Sequence, residues 1–232
     1  MLFDLQSRGR RNVVKVIYLG LAVLMGGGLI LFGIGTGGTG GLFDAFTGGS
    51  SSTSAQVSSA EKQAARAVRL HPQDPQAWAE LTRARYQTAG LGGNYDQTTG
   101  TFTTSGRAKL AITVSAWQRY LKLAPQHPDA TLARLMAQAY SEAGLNDPAQ
   151  AATALEIVTQ EQPSAQAYSQ LAQYAYLADQ MRKGDLAAGK AVQLAPPAQQ
   201  RLVRTQLASV KTQVLRAQVQ RAAQQGGVTS GG

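Results

Sequence analysis

The chain has 232 residues, with 22 Lys/Arg against 13 Asp/Glu, two histidines and no cysteine. Disulfides and thiolate metal sites are therefore excluded, and His71 and His127, both in turn-like stretches, supply neither a catalytic triad nor a zinc site. No phosphate-binding loop, Gly-rich dinucleotide turn or paired acidic constellation occurs, so the chain is expected to be no enzyme and to use no cofactor or metal.

The formal net charge of +9 favours anionic partners in general. The cations are scattered along the chain, however, and accompany no nucleic-acid-binding motif, so nucleic acid is not an expected partner.

In chain order, a basic segment (1–15, with Arg8, Arg10, Arg11 and Lys15) precedes an uncharged stretch at 16–35. About 20 apolar residues cross the hydrocarbon core as a helix, so 16–35 is predicted to be a transmembrane helix in contact with lipid. Cations crowd its N-terminal side and only Asp44 is charged between 36 and 60. The positive-inside rule then puts the N-terminus in the cytoplasm and the rest outside the cytoplasmic membrane. A removable export signal is the rival reading, since Arg10-Arg11 resembles a twin-arginine signal. The apolar run exceeds a usual signal core and no small-x-small site follows closely, which favours an uncleaved anchor. Gly26, Gly27, Gly28 and the pair Ala22-x-x-x-Gly26 would let a second membrane helix approach. Residues 36–55, rich in Gly, Ser and Thr, read as a flexible linker.

Beyond the linker, helices are predicted at 55–70, 75–90, 107–124, 128–144, 148–162, 165–180 and 182–195. Asp74-Pro75 and Asp147-Pro148 each place a capping carboxylate before a first-turn proline. Residues 91–106 interrupt the first helix pair; Tyr95 and Phe102 flank the turn-like Asp96-Gln97-Thr98-Thr99-Gly100, which predicts a small β-hairpin protruding from the helices. A basic amphipathic helix is expected from 197 to 225, with an apolar stripe of Val203, Leu207, Val210, Val214 and Ala217 and no acidic residue. Its readings are a cap on the array, a short coiled coil, or a helix docked on anionic lipid. A disordered tail follows at 226–232.

Two registers recur through these helices. Pro72, Pro125, Pro163 and Pro196 each follow small or apolar residues at twelve, eight and five positions back: Ala60, Thr113, Ala151 and Gly184; Ala64, Trp117, Leu155 and Ala188; Ala67, Tyr120, Val158 and Ala191. The packing residues Trp78 and Leu81, Leu132 and Leu135, Tyr168 and Leu171 recur in the preceding helices, with Tyr86, Tyr140 and Tyr176 five positions past the second of each pair. With the first proline interval granted an insertion, the period approaches about 34 residues, the mark of a helical solenoid.

On these residues the segment from about 55 to 196 resembles the tetratricopeptide repeat family, with Thr113 where alanine is usual and no glycine near Gln180. The resemblance implies an all-α solenoid of about three helical hairpins plus flanking helices. It also implies that the first helices line a concave groove receiving polypeptide. Carried over by register, that groove would be lined by Arg83, Tyr86 and Gln87, then Ala137, Tyr140 and Ser141, then Gln173, Tyr176 and Leu177. The same tyrosines would equally serve as wedges that only stiffen the stack. The expected function is a membrane-tethered scaffold binding a protein or peptide partner, in secretion, envelope protein folding or complex assembly. The competing expectation is a self-assembling homo-oligomer built on the Gly-rich membrane helix and the C-terminal helix, with an empty groove.

Overall fold

The structure, a computed structural model, describes residues 51–123 and 126–226. The predicted membrane helix at 16–35, most of the linker and nearly all of the tail lie outside these residues. Among the described residues no helix is long and apolar enough to cross a membrane.

The described part is all-α apart from one two-stranded hairpin. It runs α1 (Ser51–Leu70), α2 (Pro75–Ala89), a 3₁₀ turn (Gly92–Asn94), β1 (Tyr95–Asp96), β2 (Thr101–Phe102), α3 (Thr104–Lys122), α4 (Ala130–Ala139), α5 (Pro148–Glu161), α6 (Ala165–Leu177), α7 (Met181–Leu194) and α8 (Pro197–Gly226). The first of these starts four residues before the predicted 55, inside the stretch read as linker.

Local chemistry sets most boundaries. Asp74 accepts a hydrogen bond from the Gln76 N–H at 2.9 Å and Asp147 from the Gln150 N–H at 3.1 Å, each ahead of the first-turn proline. These bonds satisfy helix N–H groups that have no intrahelical acceptor. Ser164 caps α6 in the same way through the Ala167 N–H. The proline register marks the other ends: α1, α5 and α7 each stop two residues before Pro72, Pro163 and Pro196. Proline disfavours helical geometry in the residue before it.

Helices α2 and α3, α4 and α5, and α6 and α7 form three consecutive hairpins; α1 lies on α2, and α8 packs across α6 and α7. Between hairpins, α5 packs on α6 and α2 on α4. The second helices bury their small faces: Thr113, Ala151 and Ala191 are fully buried, as are Trp117 and Leu155 within 3 %. Ala60, the equivalent residue in α1, is exposed because no described helix covers that side. One core runs from Ala79 to Leu207, and a smaller cluster of Ala64, Val68, Ala77, Leu81, Ala84 and Ala116 holds α1.

Two expectations are corrected. Helix α4 ends at Ala139 rather than 144: Asn146 adopts a left-handed φ of 53°, and the N–H groups of Leu145 and Asp147 turn back to the carbonyls of Ala139 and Tyr140. The 95–102 hairpin forms in the expected place, pairing Tyr95 with Phe102, but it does not protrude. Phe102 is buried, its N–H donates to the Ala143 carbonyl at 2.8 Å, and its ring meets Tyr86 and Tyr95 edge-on. The early end of α4 is what frees Ala143 to receive it.

Candidate functional site

The carried-over groove residues separate into two groups. Arg83 is half-buried on α2, and its guanidinium donates to Asp129 at 2.8 Å. Asp129 also caps α4 through the N–H groups of Thr131 and Leu132. The Tyr86 hydroxyl lies 3.4 Å from Gln138 Oε1 on α4, and burial, with a smaller contribution from Tyr95, pushes its pKa up. Farther along, Ser141 hydrogen-bonds the Tyr174 hydroxyl of α6, whose pKa burial and the nearby Glu142 raise. Arg83–Asp129, Tyr86–Gln138 and Ser141–Tyr174 thus form a row of polar links stitching each hairpin to the next. Gln87 and Gln173 are half-buried beside this row, and Leu177 is 55 % exposed.

Tyr140 and Tyr176 do not belong to it. Each is within 3 % of full burial, as is Ala137 within 4 %, so none offers a surface to a partner. Both tyrosines face second helices rather than an open groove. Tyr176 donates to Asp185 of α7 at 2.9 Å and lies against Gly184, with Lys211 of α8 over its ring at 5.9 Å. Tyr140 borders a hollow of about 270 Å³ lined by Val114 and Gln118 of α3 and by Asp147 and Gln150, and its buried hydroxyl has no partner. Burial, reinforced by the Asp147 charge, pushes its pKa up to about 12. Of the packing residues, Leu81, Leu132 and Leu171 are buried, and Trp78, Leu135 and Tyr168 are half-buried against the cores, so the second hairpin buries the earlier residue of its pair where the other two bury the later.

Gln138, Asp129 and Tyr174 were missed in the sequence. Asp129 carried a readable signal, since Pro128-Asp129 precedes an apolar run, whereas Gln138 and Tyr174 sit outside the repeating register. A second hollow of about 340 Å³ lies between α1, α2 and α3, floored by Val68, Trp78 and Leu81 and edged by Arg69 and Arg85. Among the described residues no group of His, Asp or Glu is placed to hold a metal ion.

No protein-family model matches the chain, and no curated protein matches it either.

Proposed function

We propose that the chain is a membrane-tethered, tetratricopeptide-like scaffold that binds a protein or peptide partner along its first helices, outside the cytoplasmic membrane. The observation that carries this reading is the polar row on α2, α4 and α6. Gln87, Gln138 and Gln173 stand there half-buried beside Tyr86 and Tyr174, a mixture of amide, hydroxyl and ring that suits the backbone of an extended polypeptide. Membrane tethering rests on the 16–35 segment and its flanking cations. Architecture of this kind is compatible with help in secretion, envelope protein folding or complex assembly, and does not choose among them.

The test is cross-linking in intact cells followed by mass spectrometry, comparing the wild type with Gln87→Glu/Gln173→Glu. Both substitutions keep size and helix propensity, and they place charge on the row without touching the core. Loss of a specific partner from the variant supports the reading. A partner set that survives intact overturns the row as the working surface, and recovery of this chain alone from both proteins favours the self-assembling alternative.

A further inference from the structure

The chain's positive charge is concentrated at one end of the array. Between 51 and 178 ten Lys/Arg face nine Asp/Glu, whereas between 179 and 221 eight Lys/Arg face only Asp179 and Asp185. Exposed apolar side chains gather at the same end. Of the large ones exposed among the described residues, Leu177, Leu186, Leu194, Leu202, Leu215 and Val219 belong to α6, α7 and α8.

Cations and apolar groups interleave on shared faces. On α7, Arg182, Leu186 and Lys190 recur at four-residue spacing and are all exposed. On α8, Val203, Leu207, Val210 and Val214 pack inward, and Lys211 pairs with Asp185 at the α7 side at 2.7 Å. At 3.6 residues per turn, Arg204, Leu215, Arg201 and Val219 fall within about 80° beyond Lys211, on the arc that continues from α7. Arg201, Arg204 and Arg216 are exposed and have no ion pair among the described residues. The far flank of α8 carries uncharged Gln206, Ser209, Gln213 and Gln220 around Leu202, and Arg216 stands between it and the basic arc.

We infer that this C-terminal end, formed by the exposed faces of α7 and α8, docks on an anionic lipid surface, with the arginines at the phosphates and the exposed leucines and Val219 in the headgroup–acyl boundary. Charge complementarity selects an anionic partner, because α8 contains no acidic residue at all. The interleaved exposed leucines select a bilayer over nucleic acid: they gain by leaving water only where an apolar phase lies beneath the charges. Helices α7 and α8 also hold no aromatic residue on which a base would stack. Proximity rests on the anchor reading. Fifteen residues separate the end of the predicted span at 35 from Ser51, and such a stretch reaches at most about 50 Å even fully extended.

The absence of cysteine gives a direct test. A single Ala208→Cys, on the basic arc, is labelled with a polarity-sensitive fluorophore, and Thr131→Cys, exposed on α4, serves as control. The full chain is reconstituted in phosphatidylcholine nanodiscs with or without phosphatidylglycerol. Docking predicts a blue shift and protection from an aqueous quencher at 208 in the anionic discs only. The protection should vanish at about 1 M salt, where screening shortens to about 3 Å, and the label at 131 should stay in water throughout. Arg201→Gln/Arg204→Gln/Arg216→Gln, all at exposed positions, should abolish the shift. If the chain fails to enter discs, the anchor reading fails. Docking is then tested with anionic vesicles added to the same labelled chain, where the triple variant should partition roughly 100-fold more weakly, at about 1 kcal/mol per arginine. A label at 208 that stays in water on anionic lipid, or that responds to an added oligonucleotide and not to lipid, overturns the inference.

Discussion

Tyr140 and Tyr176 hold the same register position and are equally buried, yet only Tyr176 has a partner for its hydroxyl. A buried hydroxyl without a partner costs its full desolvation, whereas one that donates to a carboxylate recovers it. Tyr176→Phe should therefore cost about 1 kcal/mol, and Tyr140→Phe should be neutral or stabilising by up to about 1 kcal/mol, in urea unfolding. The pH dependence follows the same residues. Burial raises the pKa of Tyr140 to about 12 and also raises those of Tyr86 and Tyr176. The folded chain holds these protons where the unfolded chain, titrating near about 10, releases them. The Tyr140 contribution is thus complete below about pH 10 and is lost as pH climbs toward about 12. Alkaline unfolding of Tyr140→Phe should show a shallower fall in stability over that window. Gly184 gives a sharper contrast. A Cβ there would lie 2.4 Å from the Tyr176 ring, which its own hydrogen bond holds in place, while a Cβ at Gly189 of the same helix meets nothing. Overpacking should make Gly184→Ala destabilising by about 1–3 kcal/mol, outweighing the helix propensity it gains. Gly189→Ala, with only that gain, should stabilise by up to about 1 kcal/mol, and a pair of melting curves decides both.

The insertion shows at the scale of an element what the sequence carried and what it did not. Tyr95, Phe102 and the intervening turn announce two short strands because the turn chemistry is local: Asp96 accepts from the Thr98 N–H at 2.8 Å, and Gly100 takes a φ of 67°. Where the strands come to rest is not local. Phe102 reaches the Ala143 carbonyl only because α4 stops at Ala139, and nothing in the spacing of 128–144 reveals that early stop. The helix pairs, their proline ends and the carboxylate caps were legible for the same reason as the turn. The polar row was legible only in part. Register counts angle around one helix, and a helix in a stack meets its own partner on one side and the next hairpin on another. Tyr86 meets the next hairpin at Gln138, while Tyr176 meets its own at Asp185, although both stand five residues past a packing leucine. Docking makes the insertion structural: Phe102→Ala should cost about 3 kcal/mol. A surface decoration would cost nothing measurable, so denaturant midpoints of the variant and the wild type separate the two.

Across the molecule the cores are unequal. The main core carries Leu110, Leu132, Met136, Leu155 and Val158 without a break from the first hairpin to α8. Helix α1 is held by a separate small cluster in which four of the six buried residues are alanine. Buried alanine contributes little apolar area, and among the described residues α1 is the first helix of the array and has neighbours on one side only. The opposite end is built otherwise: α8 rests on two helices, inserts Leu207 into the main core, and adds the Lys211–Asp185 and Gln218–Asp179 links at its surface. Local opening should therefore begin at α1. Native-state hydrogen exchange of the full chain should find amides of α5 and α6 protected close to the global unfolding free energy. Amides of α1 should exchange by a smaller opening that leaves α4–α7 closed, and Val68→Ala should speed exchange in α1 alone. Equal protection of α1 and α6 would show instead that the small cluster is coupled to the main core. The physical route for such coupling is Trp78, half-buried in contact with both clusters. Trp78→Ala would then lower protection in α1 and in α4 together, whereas in an uncoupled array its effect stays with α1 to α3.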